Sequence, residues 1–427
     1  MHILYNILAT VLVILAAPVF IVRMLREKGF AERLRQSFGF LPEDTLRRVE
    51  GKNCIWLHAA SVGEIVATSP IVKEIKKELP DSPILISVVT ETGYAMAQRI
   101  IPEADAVIFF PLDLPWLCRR VVGRVRPRVF LPVETELWPN FLRAARRFDI
   151  PVMMVNGRIS DRSVKNYHHL GSILRDMLGT VVKFCMQSTI DAQYIIRLGA
   201  DPRRVVVTGN TKYDQTYTDV TDAEKQELYA QLCIEGQGPV IVAGSTHKGE
   251  EEFLLDAFAK VRGQYPTGRL IIAPRDINRA SEVTDLIEKS GFKAGRRTIL
   301  KTEGGQPDVV ILDTIGELGK IYSLGEIIYV GGSLVKHGGH NILEPAAHGK
   351  PILVGPHMFN FKDIYALIGG RGACETVYDA AELAEKLLMI LNDEEMRAKM
   401  GKQALDIILE NRGAARKSAL HLKELLG

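Results

Sequence analysis

Short, continuous apolar runs alternate with longer amphipathic stretches along most of the chain, and this alternation restricts the fold more than any other feature. A first series comprises Cys54–Ala60, Ile84–Thr90, Ala106–Pro111, Val129–Glu134, Val152–Gly157, Phe184–Gln187 and Val205–Gly209. Runs that are apolar throughout, rather than at every second position, predict strands covered on both faces, as in a parallel sheet with crossover helices on either side. A stretch over 214–238 then carries a helical segment but no strand pattern, and ends in Gly236-Gln237-Gly238-Pro239. A second series follows: Val240–Ala243, Leu270–Ala273, Val309–Asp313, Ile327–Val330 and Ile352–Val354, and from about Ala380 the chain reads as helix. The expectation is an α/β protein of two Rossmann-like, doubly wound lobes with a cleft between them. The first lobe would occupy 26–213, a hinge 214–238 and the second lobe 239–427, after an N-terminal anchor over 1–25.

The anchor is predicted from Ile3 to Val22, a segment without a charged residue. About 20 residues at 1.5 Å each give roughly 30 Å, enough to cross a bilayer. Arg23, Arg26, Lys28, Arg33 and Arg35 follow at once, against only Glu27 and Glu32. A cleaved signal peptide would carry its positive charge before the apolar run and a small-residue cleavage site after it, and neither is present. The positive-inside rule then sets the N-terminus outside and the lobes in the cytoplasm. Asn6, Thr10 and Pro18 leave a second reading open, in which the helix lies in the interface. On either reading the chain is held at a membrane, with membrane lipids as partners.

Net charge is only +3, but it divides unevenly: residues 1–213 carry 29 Lys+Arg against 20 Asp+Glu (+9), and residues 214–427 carry 25 against 31 (−6). The first half is therefore expected to meet something anionic, such as phosphates or acidic lipids. Nucleic acid is not expected, because no stacking-aromatic or helix-turn-helix pattern accompanies the arginines at 119–128 and 143–147. The five cysteines are odd in number and widely spaced, which predicts reduced thiols rather than a disulfide frame or a zinc site.

In doubly wound sheets ligands sit beyond the C-terminal ends of the strands, so the loops after each run are the informative ones. In His58-Ala59-Ala60-Ser61-Val62-Gly63-Glu64, Ser61 and Glu64 have the spacing of a helix capping box. The same Glu64 could act as a general base on a sugar hydroxyl, with Ser61 and Gly63 admitting substrate to the backbone. Glu134-Thr135-Glu136-Leu137-Trp138-Pro139-Asn140 offers two carboxylates at i, i+2, too few for a metal site without further ligands, and a buried hydrogen-bonding role is expected for at least one. Lys212, in Gly209-Asn210-Thr211-Lys212, could neutralise a phosphate leaving group or be an ordinary surface lysine. The run from Gly331 to Pro345 has glycines that permit close approach, and the helix after it offers amides to an anion. His337 and His340 within it read as loop polar residues, not metal ligands.

These motifs together, with Ser245-Thr246-His247-Lys248-Gly249-Glu250-Glu251, Ala273-Pro274-Arg275, Gly332-Ser333-Leu334 and Phe359-Asn360-Phe361-Lys362-Asp363-Ile364, closely resemble the 3-deoxy-D-manno-oct-2-ulosonic acid (Kdo) transferases of lipopolysaccharide assembly. The resemblance runs in order from the anchor almost to the C-terminus. It implies a GT-B glycosyltransferase of the inner membrane, with its lobes on the cytoplasmic face, that moves Kdo from CMP-Kdo onto the lipid A precursor with inversion. It implies no cofactor and no catalytic metal, and the chain has no D-x-D triplet that would bridge a metal to a nucleotide. Glu64 matches the family's general base, and Glu134 and Lys212 its transition-state stabilisers. Pro274, Arg275, the Gly316-Glu317-Leu318 turn and the segment Asn341-Ile342-Leu343-Glu344 match the parts that hold CMP. Ile342 stands where Pro is common in the family. The rival expectations are another membrane-associated GT-B sugar-nucleotide transferase, and a membrane-tethered CMP-sugar-binding protein without turnover.

Overall fold

Each of the twelve runs in the two series forms a strand, and every strand pairing among the described residues is parallel. The computed structural model describes residues 2–27, 29–159, 171–215, 220–234, 238–300 and 305–427, so Lys28 and the Gly236-Gln237 pair lie outside the described residues. The chain divides into two units, Met1–Thr216 with Asn411–Gly427, and Tyr217–Glu410.

In the first unit β1 (Ile55–His58), β2 (Ile84–Val88), β3 (Ala106–Phe109), β4 (Val129–Pro132), β5 (Val152–Gly157), β6 (Val181–Met186) and β7 (Val205–Val207) form one sheet in the order β3-β2-β1-β4-β5-β6-β7. Successive side chains leave a strand on opposite faces. Trp56, Phe130, Met154 and Phe184 accordingly enter one core cluster, and Ile55, Leu57, Leu131 and Val155 another. The helices that open this unit are α1 (His2–Arg26), α2 (Phe30–Ser37), α3 (Glu43–Val49), α4 (Val62–Glu78), α5 (Glu91–Ile100), α6 (Pro115–Val125) and α7 (Pro139–Arg147). Pro115 and Pro139 each start a helix, where the missing N–H costs nothing and the fixed φ is already helical. α1 is long and apolar enough to cross a membrane, and none of its residues is buried.

In the second unit β8 (Val240–Thr246), β9 (Arg269–Pro274), β10 (Ala294–Arg296), β11 (Val309–Ile311), β12 (Ile327–Val330), β13 (Ile352–Val354) and β14 (Cys374–Thr376) form a sheet in the order β10-β11-β9-β8-β12-β13-β14. In each sheet the strand order reverses beside the first strand, between β1 and β4 and between β8 and β12. Such reversals open a crevice at the C-terminal edge, the usual ligand position in folds of this type.

Two expected boundaries move. The stretch expected as a hinge contains the helix Asp222–Gln231, and this helix belongs to the second unit. Leu228, Leu232 and Ile234 are buried there, and the Tyr229 hydroxyl donates to the Leu324 carbonyl at 3.1 Å. At the other end, residues 411–427 pack in the first unit, not in the second lobe to which 239–427 was assigned. The helix Ala414–Leu426 buries Ala415, Ala419 and Leu422 in the same core cluster as Ile71 and Ile75 of α4. Helical periodicity shows that a face must be buried but not against which partner. The five cysteines are free thiols, four of them buried.

Candidate active site

The first cluster lies where strand order reverses in the first sheet. β1 ends at His58, the chain crosses Ala59 and Ala60, and Ser61 caps α4 by accepting from the Glu64 amide at 3.3 Å. The Glu64 carboxylate turns back, accepting from the Ala60 amide at 2.7 Å and the Ser61 hydroxyl at 2.8 Å. The Ser61 cap and the Glu64 carboxylate thus form one hydrogen-bonded arrangement, with the carboxylate accepting from the Ala60 amide rather than from the Ser61 amide that a full capping box would use. Burial pushes the Glu64 carboxyl up to about 7; the Ala60 amide opposes the shift, and Glu136 and Glu134 add to it. At neutral pH this group can take or give a proton. A side chain on Gly63 would meet nothing closer than the Ser61 hydroxyl at 3.9 Å, so the backbone there is open to a ligand.

The loop after β4 supplies the two carboxylates, and they divide the work. Glu136 accepts from the Trp138 indole at 2.9 Å and lies 3.4 Å from Nε2 of the buried His58, so it takes the hydrogen-bonding role expected of one of the pair. Glu134 has a φ of +54° and its amide donates to the Val155 carbonyl at 3.1 Å. A non-glycine residue in this region costs about 1 kcal/mol or more, and such strain collects at functional sites. Burial raises the Glu134 carboxyl, while Lys212 and Arg158 pull it down. Those two cations therefore lie within electrostatic reach of Glu134.

Lys212 sits in the turn Thr211–Asp214, which is tied down on several sides. Asn210 accepts from the Lys212 amide at 3.0 Å, Asn156 accepts from the Thr211 amide at 3.1 Å, and the Thr211 hydroxyl donates to the Ala67 carbonyl at 2.8 Å. Asn156 is itself left-handed, with a φ of +52°, and fully buried. The structure thus joins Ser61, Gly63, Glu64, Glu134 and Lys212 in one region of one unit, and adds Glu136, Asn156 and Arg158. The sequence signal for Asn156 was a polar residue ending an otherwise apolar strand.

The second cluster lies at the corresponding reversal of the second sheet. Glu250 is fully buried and accepts five hydrogen bonds: from the amides of His247 (2.9 Å), Gly332 (2.7 Å), Ser333 (3.0 Å) and Leu334 (3.0 Å), and from the Tyr329 hydroxyl (2.8 Å). The amides at the start of the glycine-rich run are therefore occupied by a carboxylate of the protein. Glu251, equally buried, accepts from the Thr246 hydroxyl at 2.9 Å and from Arg279 at 2.8 Å.

Around this frame stand the residues expected to hold the nucleotide. Pro274 ends β9 buried, and exposed Arg275 follows, its amide donating to the Thr246 carbonyl at 2.9 Å. His247 and His340 face each other, Nε2 to Nε2, at 2.8 Å, and His337 stacks on His247 at 4.1 Å. Burial, with Arg275 and His247 nearby, lowers His340 to about 4, so this pair is neutral at pH 7. Among the described residues no group of three or more His, Cys, Asp or Glu is placed to hold a metal ion. Asn341 donates to Glu344 at 3.3 Å and accepts from the Leu343 amide at 3.0 Å. Burial raises the Glu344 carboxyl, and Asn341 and Arg275 oppose the shift. Ile342 is buried in helical geometry with a φ of −93°, so the absence of Pro there does not distort the turn. Gly316, at φ +95°, leads into Glu317 and the short helix Leu318–Ile321, and a side chain on Gly319 would approach the Glu344 carboxylate at 3.9 Å.

Two seven-stranded parallel sheets, each with polar residues at its strand-order reversal, make this a GT-B-like fold. The UDP-GlcNAc 2-epimerase of Neisseria meningitidis has this fold, with a TM-score of 0.58 at 15% identity over 87% of this chain and 99% of that one. Residues 32–215 match the family described as 3-deoxy-D-manno-octulosonic-acid transferase (kdotransferase), and residues 243–406 match glycosyl transferases group 1. The 3-deoxy-D-manno-octulosonic acid transferase of Haemophilus influenzae is 32% identical over 94% of this chain and 93% of its own length. The Bordetella pertussis enzyme of the same name is 31% identical over 87% of each. The chain belongs to the 3-deoxy-D-manno-octulosonic acid (Kdo) transferase family, and it is a glycosyltransferase.

Proposed function

We propose that this chain transfers Kdo from CMP-Kdo to a glucosamine hydroxyl of the lipid A precursor, at the cytoplasmic face of the inner membrane, by a single inverting displacement that uses no cofactor or bound metal. Glu64 takes the hydroxyl proton, the freed oxygen bonds to the anomeric carbon of Kdo, and the bond from that carbon to the CMP phosphate oxygen breaks. The observation that carries this is the Glu64 carboxyl itself, held at the strand-order reversal with a pKa of about 7, where a base is half ionised at neutral pH. Lys212 and Glu134 would stabilise charge that develops in the transition state. In the second unit Arg275 faces the phosphate, Glu344 accepts from the ribose hydroxyls, and Pro274, the Gly316-Glu317-Leu318 turn and Asn341-Ile342-Leu343 shape the nucleotide site.

The test is incubation of purified protein with CMP-Kdo and a tetraacylated lipid A precursor, followed by mass spectrometry of the lipid. A product heavier by one or more Kdo residues is expected, with no product from UDP-sugars. Glu64→Gln is expected to abolish transfer and keep CMP affinity within about twofold; near-normal turnover by that variant would remove Glu64 from the base role.

A further inference from the structure

One side of α1 is half-covered by the protein, and the opposite side, apolar along its length, faces out. Its half-covered positions recur three or four apart, from His2 through Tyr5, Ala9, Val13 and Ala16 to Phe20, and so form one stripe along the helix. On the other side Leu4, Leu8, Leu12, Leu15, Val19 and Val22 are exposed. Both ends of the stripe are attached to the first unit. At one end the Tyr5 hydroxyl donates to Asp113 at 2.8 Å, and His2 lies 3.3 Å from Asp176. At the other the Phe20 ring packs on Phe30 at 6.2 Å, and the Arg23 guanidinium covers the same ring at 4.7 Å. From residue 2 to residue 20 the helix rises about 27 Å, close to the thickness of a bilayer core. A helix that crossed a bilayer would put those residues on opposite sides, and they could not both touch one water-facing unit.

Beside the N-terminal end of α1 lies a cavity of about 340 Å³ lined by Arg119, Arg143, Arg146 and Arg147. It is coupled to the helix through Asp113, which accepts from Tyr5 and also from the Asn140 and Phe141 amides that start α7. Asp176 pairs with Arg146 at 2.5 Å and lies 3.9 Å from Arg143. Arg119 and Arg147 have no ion pair or hydrogen bond among the described residues, and both are exposed. Trp116, next to Pro115 on the cavity wall, is 59% exposed, and tryptophan of this kind is typical of the head-group layer.

We propose that α1 lies in the plane of the bilayer surface, apolar side down, and that the arginine cavity at its N-terminal end holds the phosphate of an anionic lipid head group. Arg23, Arg26, Arg33 and Arg35 at the far end of the helix then meet the same leaflet. This docking needs no turnover and holds whatever sugar the chain transfers.

The experiment uses the full chain on vesicles of phosphatidylethanolamine and phosphatidylglycerol. Spin labels on Leu4→Cys, Leu12→Cys and Val19→Cys, one at a time and read against unsubstituted protein, report depth. Equal, shallow depths are expected; a label at 12 near the bilayer centre with 4 and 19 near opposite surfaces would overturn the in-plane helix. In cosedimentation the double variant Arg119→Gln/Arg147→Gln is expected to bind these vesicles about 25-fold more weakly, about fivefold per arginine, with an unchanged melting temperature. The comparison is Arg203→Gln, an exposed arginine of the same unit paired with Asp201. An equal loss in that variant, or no loss in the double variant, would overturn the cavity as a head-group site. So would inorganic phosphate that binds the vesicle-free protein through Arg119 and Arg147 while vesicle affinity stays indifferent to them.

Discussion

Glu64 carries two duties that pull its ionisation in different directions. As a cap it accepts from the Ala60 amide and the Ser61 hydroxyl, which favour the carboxylate; burial and the carboxylates of Glu136 and Glu134 favour the acid, and they prevail. With the carboxyl near 7, kcat for transfer is expected to rise about tenfold per pH unit below 7 and to level off above it, as measured on the wild type from pH 5 to 8.5. Stability has the opposite sign. Between the ordinary carboxyl range near 4.5 and about 7 the native state binds more protons than the unfolded chain, so stability falls as pH rises through that window. Glu64→Gln removes this contribution, and urea denaturation is expected to show the variant gaining on the wild type between pH 5 and pH 8. Glu134 offers a second test, because its φ of +54° suits glycine better than glutamate. Glu134→Gly is expected to leave stability unchanged or to raise it by about 1 kcal/mol while turnover falls at least tenfold. Loss of stability without loss of turnover would mean that the strain serves packing. The capping spacing of Ser61 and Glu64 was legible in the sequence; the shifted pKa was not, because it comes first from burial in the folded unit and then from Glu136 and Glu134, in the loop after a strand 70 residues away.

At the scale of elements, the strands were legible because burial on both faces leaves continuous apolar runs, and twelve of them sit where those runs fall. The two that were missed, Ala294–Arg296 and Cys374–Thr376, are three-residue edge strands with half-exposed positions, too short and too polar to stand out. The glycine-rich loop holds a partner that its own sequence does not show. Its glycines were read as permitting close approach, but not that Glu250, on a helix 80 residues earlier, accepts from the amides of Gly332, Ser333 and Leu334. A loop shaped by an internal carboxylate is preorganised before any ligand arrives, which is how a site avoids ordering costs on binding. Glu250→Ala would leave five donors without an acceptor, the Tyr329 hydroxyl and the His247 amide among them. A loss of at least about 3 kcal/mol by urea denaturation is expected, with Glu250→Gln milder, since one oxygen survives to accept. If Glu250→Ala keeps full stability but loses CMP affinity, Glu250 belongs to the ligand site instead.

For the whole molecule, the assignment of 411–427 to the first unit changes the electrostatics as well as the boundary. The first unit, Met1–Thr216 with Asn411–Gly427, carries 33 Lys+Arg against 22 Asp+Glu (+11), and the second carries 21 against 29 (−8), a wider division than the sequence halves show. The basic unit is the one with α1 and the arginine cavity, so its bulk charge and its local site favour the same anionic surface. One side chain caps the helix that carries those C-terminal charges. Asp214 accepts from the Gly413 and Ala415 amides and so caps the helix Ala414–Leu426, while Lys423 pairs with Glu78 at 2.9 Å on the surface of α4. The exposed pair contributes little; the buried face of Ala415, Ala419 and Leu422 holds the helix on α4, and the cap fixes its first turn. Asp214→Ala is expected to cost about 1 to 2 kcal/mol locally. In native-state hydrogen exchange this would appear as protection lowered about 10-fold or more over residues 414–426, with β8 and β12 unchanged because they belong to the other unit. Equal loss of protection in β8 and β12 would mean instead that the C-terminal helix supports both units, and that the charge division just given is not a division between independent bodies.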